Sequence, residues 1–268
     1  MPCRLPVTPA LLLALTLLGA CAHQPPVPAI PDAPLVLLGE QHDADEHQRL
    51  ARDAVRRLAV QGRLAALVVE MADAGRDTRG LPPQASEAQV RERLVWNSDG
   101  WPWERYGPVV MAAVQAGVPV IGGNQPRAQM RASMQDSRLD QRLDAAALDA
   151  QRQAIERGHC GLLPDSQLPA MVRIQIARDL SLAHTATDAL RPGQTVLLLA
   201  GSGHVRRDLG IPRHLDPALA QQARVVWMQA GGDPVPAGQA DATWATPAVS
   251  GKDHCAELRE QMGQPARR

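Results

Sequence analysis

Two glutamates and two histidines, Glu40, His42, Glu70 and His204, each close or follow an apolar run. Glu40 and His42 fall in Gly39-Glu40-Gln41-His42, directly after Leu35-Val36-Leu37-Leu38. His204 falls in Gly201-Ser202-Gly203-His204, directly after Thr195-Val196-Leu197-Leu198-Leu199-Ala200. Glu70 closes a third apolar run, Leu64-Ala65-Ala66-Leu67-Val68-Val69. Two carboxylates and two imidazoles brought together would suit a divalent metal. They would equally suit general-base chemistry, in which a carboxylate orients a histidine that activates water. Taken singly, each has an ordinary structural reading: a helix cap, an arginine partner, a backbone hydrogen bond. What they share is a place at a strand end.

Arg178 joins them by periodicity. In a helix over residues 165–184, Leu168, Met171, Gln175, Arg178 and Leu182 share one stripe. A guanidinium on a largely apolar face needs an anion, such as Glu40, Glu70 or a ligand carboxylate. Its plain structural partner would be Asp179. His159, just before that helix, could face the same crevice, and His47 could ride the inner stripe of its helix near His42. His184 ends its helix, where a histidine compensates the dipole. Trp101, Trp103 and Tyr106 form a local aromatic cluster that packs a helix start or lines a flat apolar ligand site. In the second case Tyr106 could ligate an iron porphyrin as phenolate.

The apolar pattern also defines the secondary structure around these residues. Continuous apolar runs of this length read as strands buried on both faces, the habit of a parallel sheet. Strands are expected at 35–38, 64–69, 118–121, 195–200 and 224–228, with helices at 44–60, 86–95 and 101–116 between the first three. Asp43 and Glu46 resemble a capping box at the start of the first helix. Strand and helix alternate at a spacing of about 30 residues, which indicates βαβ units. Residues 126–190 break the rhythm with helices alone. The fold class is therefore α/β: a mostly parallel sheet with flanking helices and an inserted helical subdomain. In such sheets ligands bind beyond the carboxyl ends of the strands.

The ends stand apart from this core. Arg4 precedes an apolar stretch over residues 10–20, and Leu18-Gly19-Ala20-Cys21 fits a bacterial lipobox. Residues 1–20 read as a signal peptide, and 21–34 as a proline-rich tether lipidated at Cys21, which would hold the chain to a membrane. The α/β domain spans 35–230, and 231–268 is a polar, irregular extension. Cys160 and Cys255 remain for a disulfide in a compartment that permits one. A free pair of buried thiols is the alternative, as is Cys160 acting with His159. Lys and Arg total 28 against 28 Asp and Glu. That balance argues against nucleic acid as a bulk partner.

LVLLGEQHD, ALVVEM, WPWERYGPVV with VPVIGGNQPR, HCGLLP, QIARDLSLA and LLLAGSGHVRRDLGIP stand in an order that resembles the ChaN-type haem-binding lipoproteins of the Tiki and erythromycin esterase superfamily. The resemblance covers residues 35–228. It implies an outer-membrane lipoprotein facing the periplasm or cell surface, binding haem for iron acquisition. A haem pocket, a homodimer and an outer-membrane haem receptor as partner are implied with it. Carried over by motif, the superfamily site falls on Glu40, His42, Glu70 and His204, with Arg178 in support. For haem, Tyr106, His42, His159 and His204 are the candidate iron ligands, and Arg178 would meet propionates. The competing expectation is a periplasmic esterase or protease using the same crevice, with or without a divalent metal on Glu40, His42, Glu70 and His204.

Overall fold

The computed structural model describes residues 28–232, 234–249, 251 and 253–263. The expected signal peptide, the lipobox at Cys21 and the first part of the tether lie outside these residues. Six strands form one parallel sheet: β1 (Leu35–Glu40), β2 (Leu64–Asp73), β3 (Val120–Asn124), β4 (Thr195–Gly201), β5 (Arg224–Ala230) and β6 (Ala242–Thr246). Their order is β3-β2-β4-β1-β5-β6. The helices are α1 (Asp45–Val60), α2 (Glu87–Leu94), α3 (Trp103–Gln115), α4 (Met130–Gln135), α5 (Ala145–Gly158), α6 (Leu168–Asp188), α7 (Ser202–Val205), α8 (Pro217–Gln222) and α9 (His254–Gly263). The expected α/β class holds.

Side chains alternate across the sheet, and both faces are covered. Val36, Leu38, Leu67, Val69, Leu197 and Leu199 face Leu50, Ala54 and Leu58 of α1 and Val109, Val110 and Ala113 of α3. Leu35, Leu37, Val68, Leu198 and Ala200 face Leu182, Ala183 and Ala186 of α6. Each fully buried leucine in these layers contributes about 1.5–3 kcal/mol. The insertion carries a small core of its own, in which Leu139, Leu143 and Ala147 pack on Val172 and Ile176 of α6.

Topology locates the crevice. The chain leaves β1 through α1 toward β2 on one face, and leaves β4 through α7 and α8 toward β5. β1 and β4 are neighbours, paired from Leu35↔Val196 to Glu40↔Gly201. Connections that depart in opposite directions from adjacent strands open a crevice at the carboxyl ends, the switch point where α/β sheets bind ligands. Gly39 lets α7 cross close over β1. A Cβ there would lie 2.4 Å from Val205 Cγ2 and 3.2 Å from the Ser202 Cα.

Two expectations are corrected. Residues 231–268 are not irregular throughout, because β6 adds a parallel edge strand to β5, with Trp244 buried, and α9 follows it. Asp43 does not cap α1. Ala44 is the N-cap and offers no side-chain bond, while Asp43 accepts from Gln41 Nε2 at 2.9 Å. Cys160 and Cys255 are joined, with Cα atoms 5.7 Å apart. The bridge ties the end of α5 to α9.

Gly39→Ala should destabilise the fold by about 1–3 kcal/mol, the usual cost of overpacking. Urea unfolding monitored by far-UV circular dichroism checks this, and an unchanged midpoint would mean that α7 does not depend on the close approach.

Candidate functional site

Three central strands, β2, β4 and β1, end side by side and carry Glu70, Gly201 and Glu40. By alternation Glu40 falls on the α1–α3 face and Glu70 on the α6 face. Each carboxylate is buried and finds donors in its own layer. Glu40 accepts from the Tyr106 hydroxyl of α3 at 2.7 Å and from Gln48 Nε2 of α1. It also accepts from His42 Nδ1 at 2.7 Å. Glu70 accepts from the Gly201 amide at 2.7 Å and lies 3.3 Å from His204 Nε2. His204 Nδ1 donates to Asp179 at 2.5 Å, and the Gln175 amide lies 2.9 Å from the same nitrogen.

The two halves meet over Gly201. A Cβ at that glycine would lie 3.0 Å from His42 Cε1 and Nε2 and 3.5 Å from Glu70 Oε2. His42 thus reaches across β4 toward the second carboxylate. Its carbonyl accepts from Arg105 Nη1 at 2.6 Å, and Arg105 is anchored in turn on Asp45 at 3.0 Å. The ring packs edge-on against Trp101, centroids 4.9 Å apart. Its side chain is 46% exposed, whereas those of Glu70 and His204 are 3% and 7% exposed. His42 is therefore the one group of the set that solvent or a ligand reaches freely.

Charge in the buried half is shared. Burial opposes an imidazolium at His204, but Glu70 and Asp179 outweigh it and push its pKa up to about 10. Burial would raise Glu70, yet His204 and the Gly201 amide bring it down to about 2. Burial dominates at Asp179 and lifts it to about 6 against the pull of His204, in keeping with an Oδ2 atom that has no hydrogen-bond partner. At His42 burial opposes the charge, while the hydrogen bond to Glu40 and the field of Glu70 raise the pKa overall. Burial and the Glu40 carboxylate hold the Tyr106 phenol far above its ordinary value.

Glu40, His42, Glu70 and His204 are thus brought together as the motifs suggested. Other expectations change. Tyr106 is 2% exposed, and its hydroxyl donates to Glu40. His159 caps α5, with Nδ1 2.8 Å from the Ile155 carbonyl, and takes no part in the cluster. Arg178 pairs with neither Glu40 nor Glu70 nor Asp179 among the described residues, and its Nε is buried without a partner. Asp179, next along α6, is the fully buried acid that serves His204. His47 is structural: Nδ1 accepts from the Gln41 amide at 3.0 Å, and Nε2 lies 2.9 Å from Thr246 Oγ1. No three His, Cys, Asp or Glu side chains among the described residues converge as a metal ion would require. Their polar atoms are engaged with one another instead.

The sequence model described as haem-binding uptake, Tiki superfamily, ChaN matches residues 27–215. Among solved structures, one of cofacial heme binding to ChaN of Campylobacter jejuni matches with TM-score 0.62 and 20% identity, covering 78% of this chain and 86% of that one. The type III effector HopBA1 matches with TM-score 0.45 and 14% identity, covering 80% and 88%. No curated protein matches the chain.

Glu70→Ala would leave an imidazolium and an amide facing a void, and should cost about 3–5 kcal/mol of folding stability. The buried pair also sets a pH window. Glu70 contributes fully above its unfolded pKa of 4.5 and loses that contribution as pH falls toward 2. His204 contributes fully below its unfolded 6.5 and loses it as pH rises toward 10. Melting temperature followed against pH should therefore fall from 6.5 to 10 in the parent chain. The alkaline fall should flatten in His204→Gln, and an identical fall in that variant would contradict the assignment.

Proposed function

The chain belongs to the ChaN family of haem-binding uptake proteins, and from that premise we propose that it binds haem at the strand-end crevice through His42. The observation that carries this reading is the state of His42. Its Nδ1–H is committed to the buried Glu40 carboxylate, which leaves the Nε2 lone pair of the neutral ring free to bind iron. A histidine held by a carboxylate in this way is oriented and made a stronger ligand. The donor set fits haem better than a bare cation, because one reachable imidazole beside an aromatic edge is what an iron porphyrin needs. Bound haem would supply the iron, and the chain's residues hold and orient it.

Tyr106, Gln48 and Arg105 stand behind that ligand and fix its ring and backbone. His204, Glu70 and Asp179 form the floor beneath it. The lipobox at Cys21 supports a lipid-anchored protein facing the periplasm or cell surface, where captured haem would serve iron acquisition after transfer from an outer-membrane receptor. A second reading rests on the same dyad. His42 on Glu40 is also the arrangement of a general base, which would make the crevice a hydrolase site. It calls for turnover of an ester or peptide that vanishes in Glu40→Ala and His42→Ala.

Haem titrated into the chain from residue 22 should give a saturable Soret shift. His42→Ala should weaken binding by about tenfold or more, which is about 1.4 kcal/mol. Tyr106→Phe should keep the ligand-field bands of the parent. No spectral change at stoichiometric haem would remove the reading.

A further inference from the structure

The amino end of the sheet, opposite the crevice, holds a cavity of about 740 Å³. Asp32, Pro34, Arg63, Arg191, Gln194 and Gln222 line it, from the segments that lead into β1, β2, β4 and β5. Arg224 opens β5 beside them, and Arg56 and Arg57 stand exposed near the end of α1. The acids described at this end are Asp32, paired with Arg63, Asp241, paired with Arg207, and Asp188. Arginine is therefore in excess here, although the whole chain balances 28 Lys and Arg against 28 Asp and Glu. The carboxyl end mixes the signs: Asp43, Asp45, Asp73 and Glu104 are exposed there beside Arg76 and Arg127.

Val60 closes α1 at this same end and is 89% exposed, the most exposed large apolar side chain among the described residues. One exposed valine is ordinary alone, but among arginines it has the makeup of a membrane-interface contact. The chain also enters the fold here. Ala33 is buried, and Ile30 packs on the core shared by α1 and α3. The segment ahead of β1 is thus pinned from Ile30 onward. At no more than about 3.6 Å per residue, the reach from Cys21 to Ile30 cannot exceed about 32 Å. The crevice lies about 20 Å further on, the length of a six-residue strand. A lipid on Cys21 limits the distance to the bilayer, and the arginines and Val60 set the orientation.

We propose that the amino end of the sheet is a docking face for an anionic phospholipid bilayer, where Arg63, Arg191 and Arg224 meet headgroup phosphates and Val60 enters the interface. The cavity between Arg63 and Arg191 takes one headgroup. Arg63 gives Nη2 to Asp32 and Nη1 to Gln61, both exposed partners that a phosphate can replace. The inference rests on the lipid-anchored reading of Cys21 for its orientation, whereas the face itself needs no lipid on the chain. Docked in this way, the protein turns its crevice away from the bilayer and leaves the His42 ring open to a ligand arriving from solution.

The chain from residue 22 keeps every described element and carries no lipid, so it isolates the face. Its sedimentation is measured with vesicles of phosphatidylcholine, and with vesicles in which phosphatidylglycerol replaces a third of it. The parent should bind the anionic vesicles about tenfold or more tightly than the neutral ones, and release them at high salt. An arginine at an anionic surface is worth about fivefold in partitioning, so Arg63→Gln/Arg191→Gln/Arg224→Gln should lose about tenfold or more. Arg76→Gln/Arg127→Gln removes charge at the other end and should stay within about twofold of the parent. Val60→Asp should weaken binding severalfold, and keeps the test decisive should the triple variant fail to fold. Equal binding to both vesicles by the parent would overturn the face, as would a control pair that loses as much as the triple variant, or parent-like binding by Val60→Asp and the triple variant alike. The anchor is read separately, by labelled palmitate fed to a bacterium making the full chain. Label lost in Cys21→Ser supports the orientation, and no label in the parent overturns the orientation while the vesicle result still decides the face.

Discussion

Three carboxylates are buried at the end of one sheet, and the packing around them is organised to neutralise them. Glu40, Glu70 and Asp179 are each 3% exposed or less. An unpaired charge in that position costs several kcal/mol, so the surrounding layers are committed to supplying partners. Pleat alternation sends Glu40 and Glu70 to opposite faces of the sheet. α1 and α3 must therefore bring Gln48 and Tyr106 to the first, while α6 and α7 bring Asp179 and His204 around the second. The two halves meet at β4, where residue 201 has no side chain to crowd the His42 ring.

The consequence is an uneven site. Its buried half is an ion cluster, with His204 held charged between two acids. Such a cluster is rigid and is poorly placed to exchange protons with a substrate. Its open half is one histidine with one committed nitrogen. That division favours a scaffold presenting a ligand atom over a pair of groups that trade acid and base roles.

Much of this was legible in the sequence. Continuous apolar runs closing in Gly39-Glu40 and Gly201 gave the strands, and Glu40, Glu70 and His204 followed from strand ends in a parallel sheet. Asp179 was not legible. Helical periodicity marks a face about 100° wide, and Arg178 and Asp179 are neighbours on its border. Only the rotation of α6 against β3 and β2 decides which of them turns inward. Tyr106 could be placed in an aromatic cluster, but not turned toward Glu40, because that contact joins elements 66 residues apart. β6 escaped for a different reason: an edge strand with one fully buried residue, Trp244, behind a glycine-rich stretch shows no apolar run. The anchor of Arg105 on the His42 carbonyl is equally long-range and left no local trace.

The most direct test of the account is the iron–histidine stretching band in the resonance Raman spectrum of the ferrous haem complex. A histidine whose other nitrogen donates to a buried carboxylate should give this band at raised frequency, because the bond to Glu40 gives the ring imidazolate character. The account predicts such a band, lowered in frequency by Glu40→Gln and abolished by His42→Ala. A complex with no iron–histidine band, or with a band that survives His42→Ala unchanged, would contradict it.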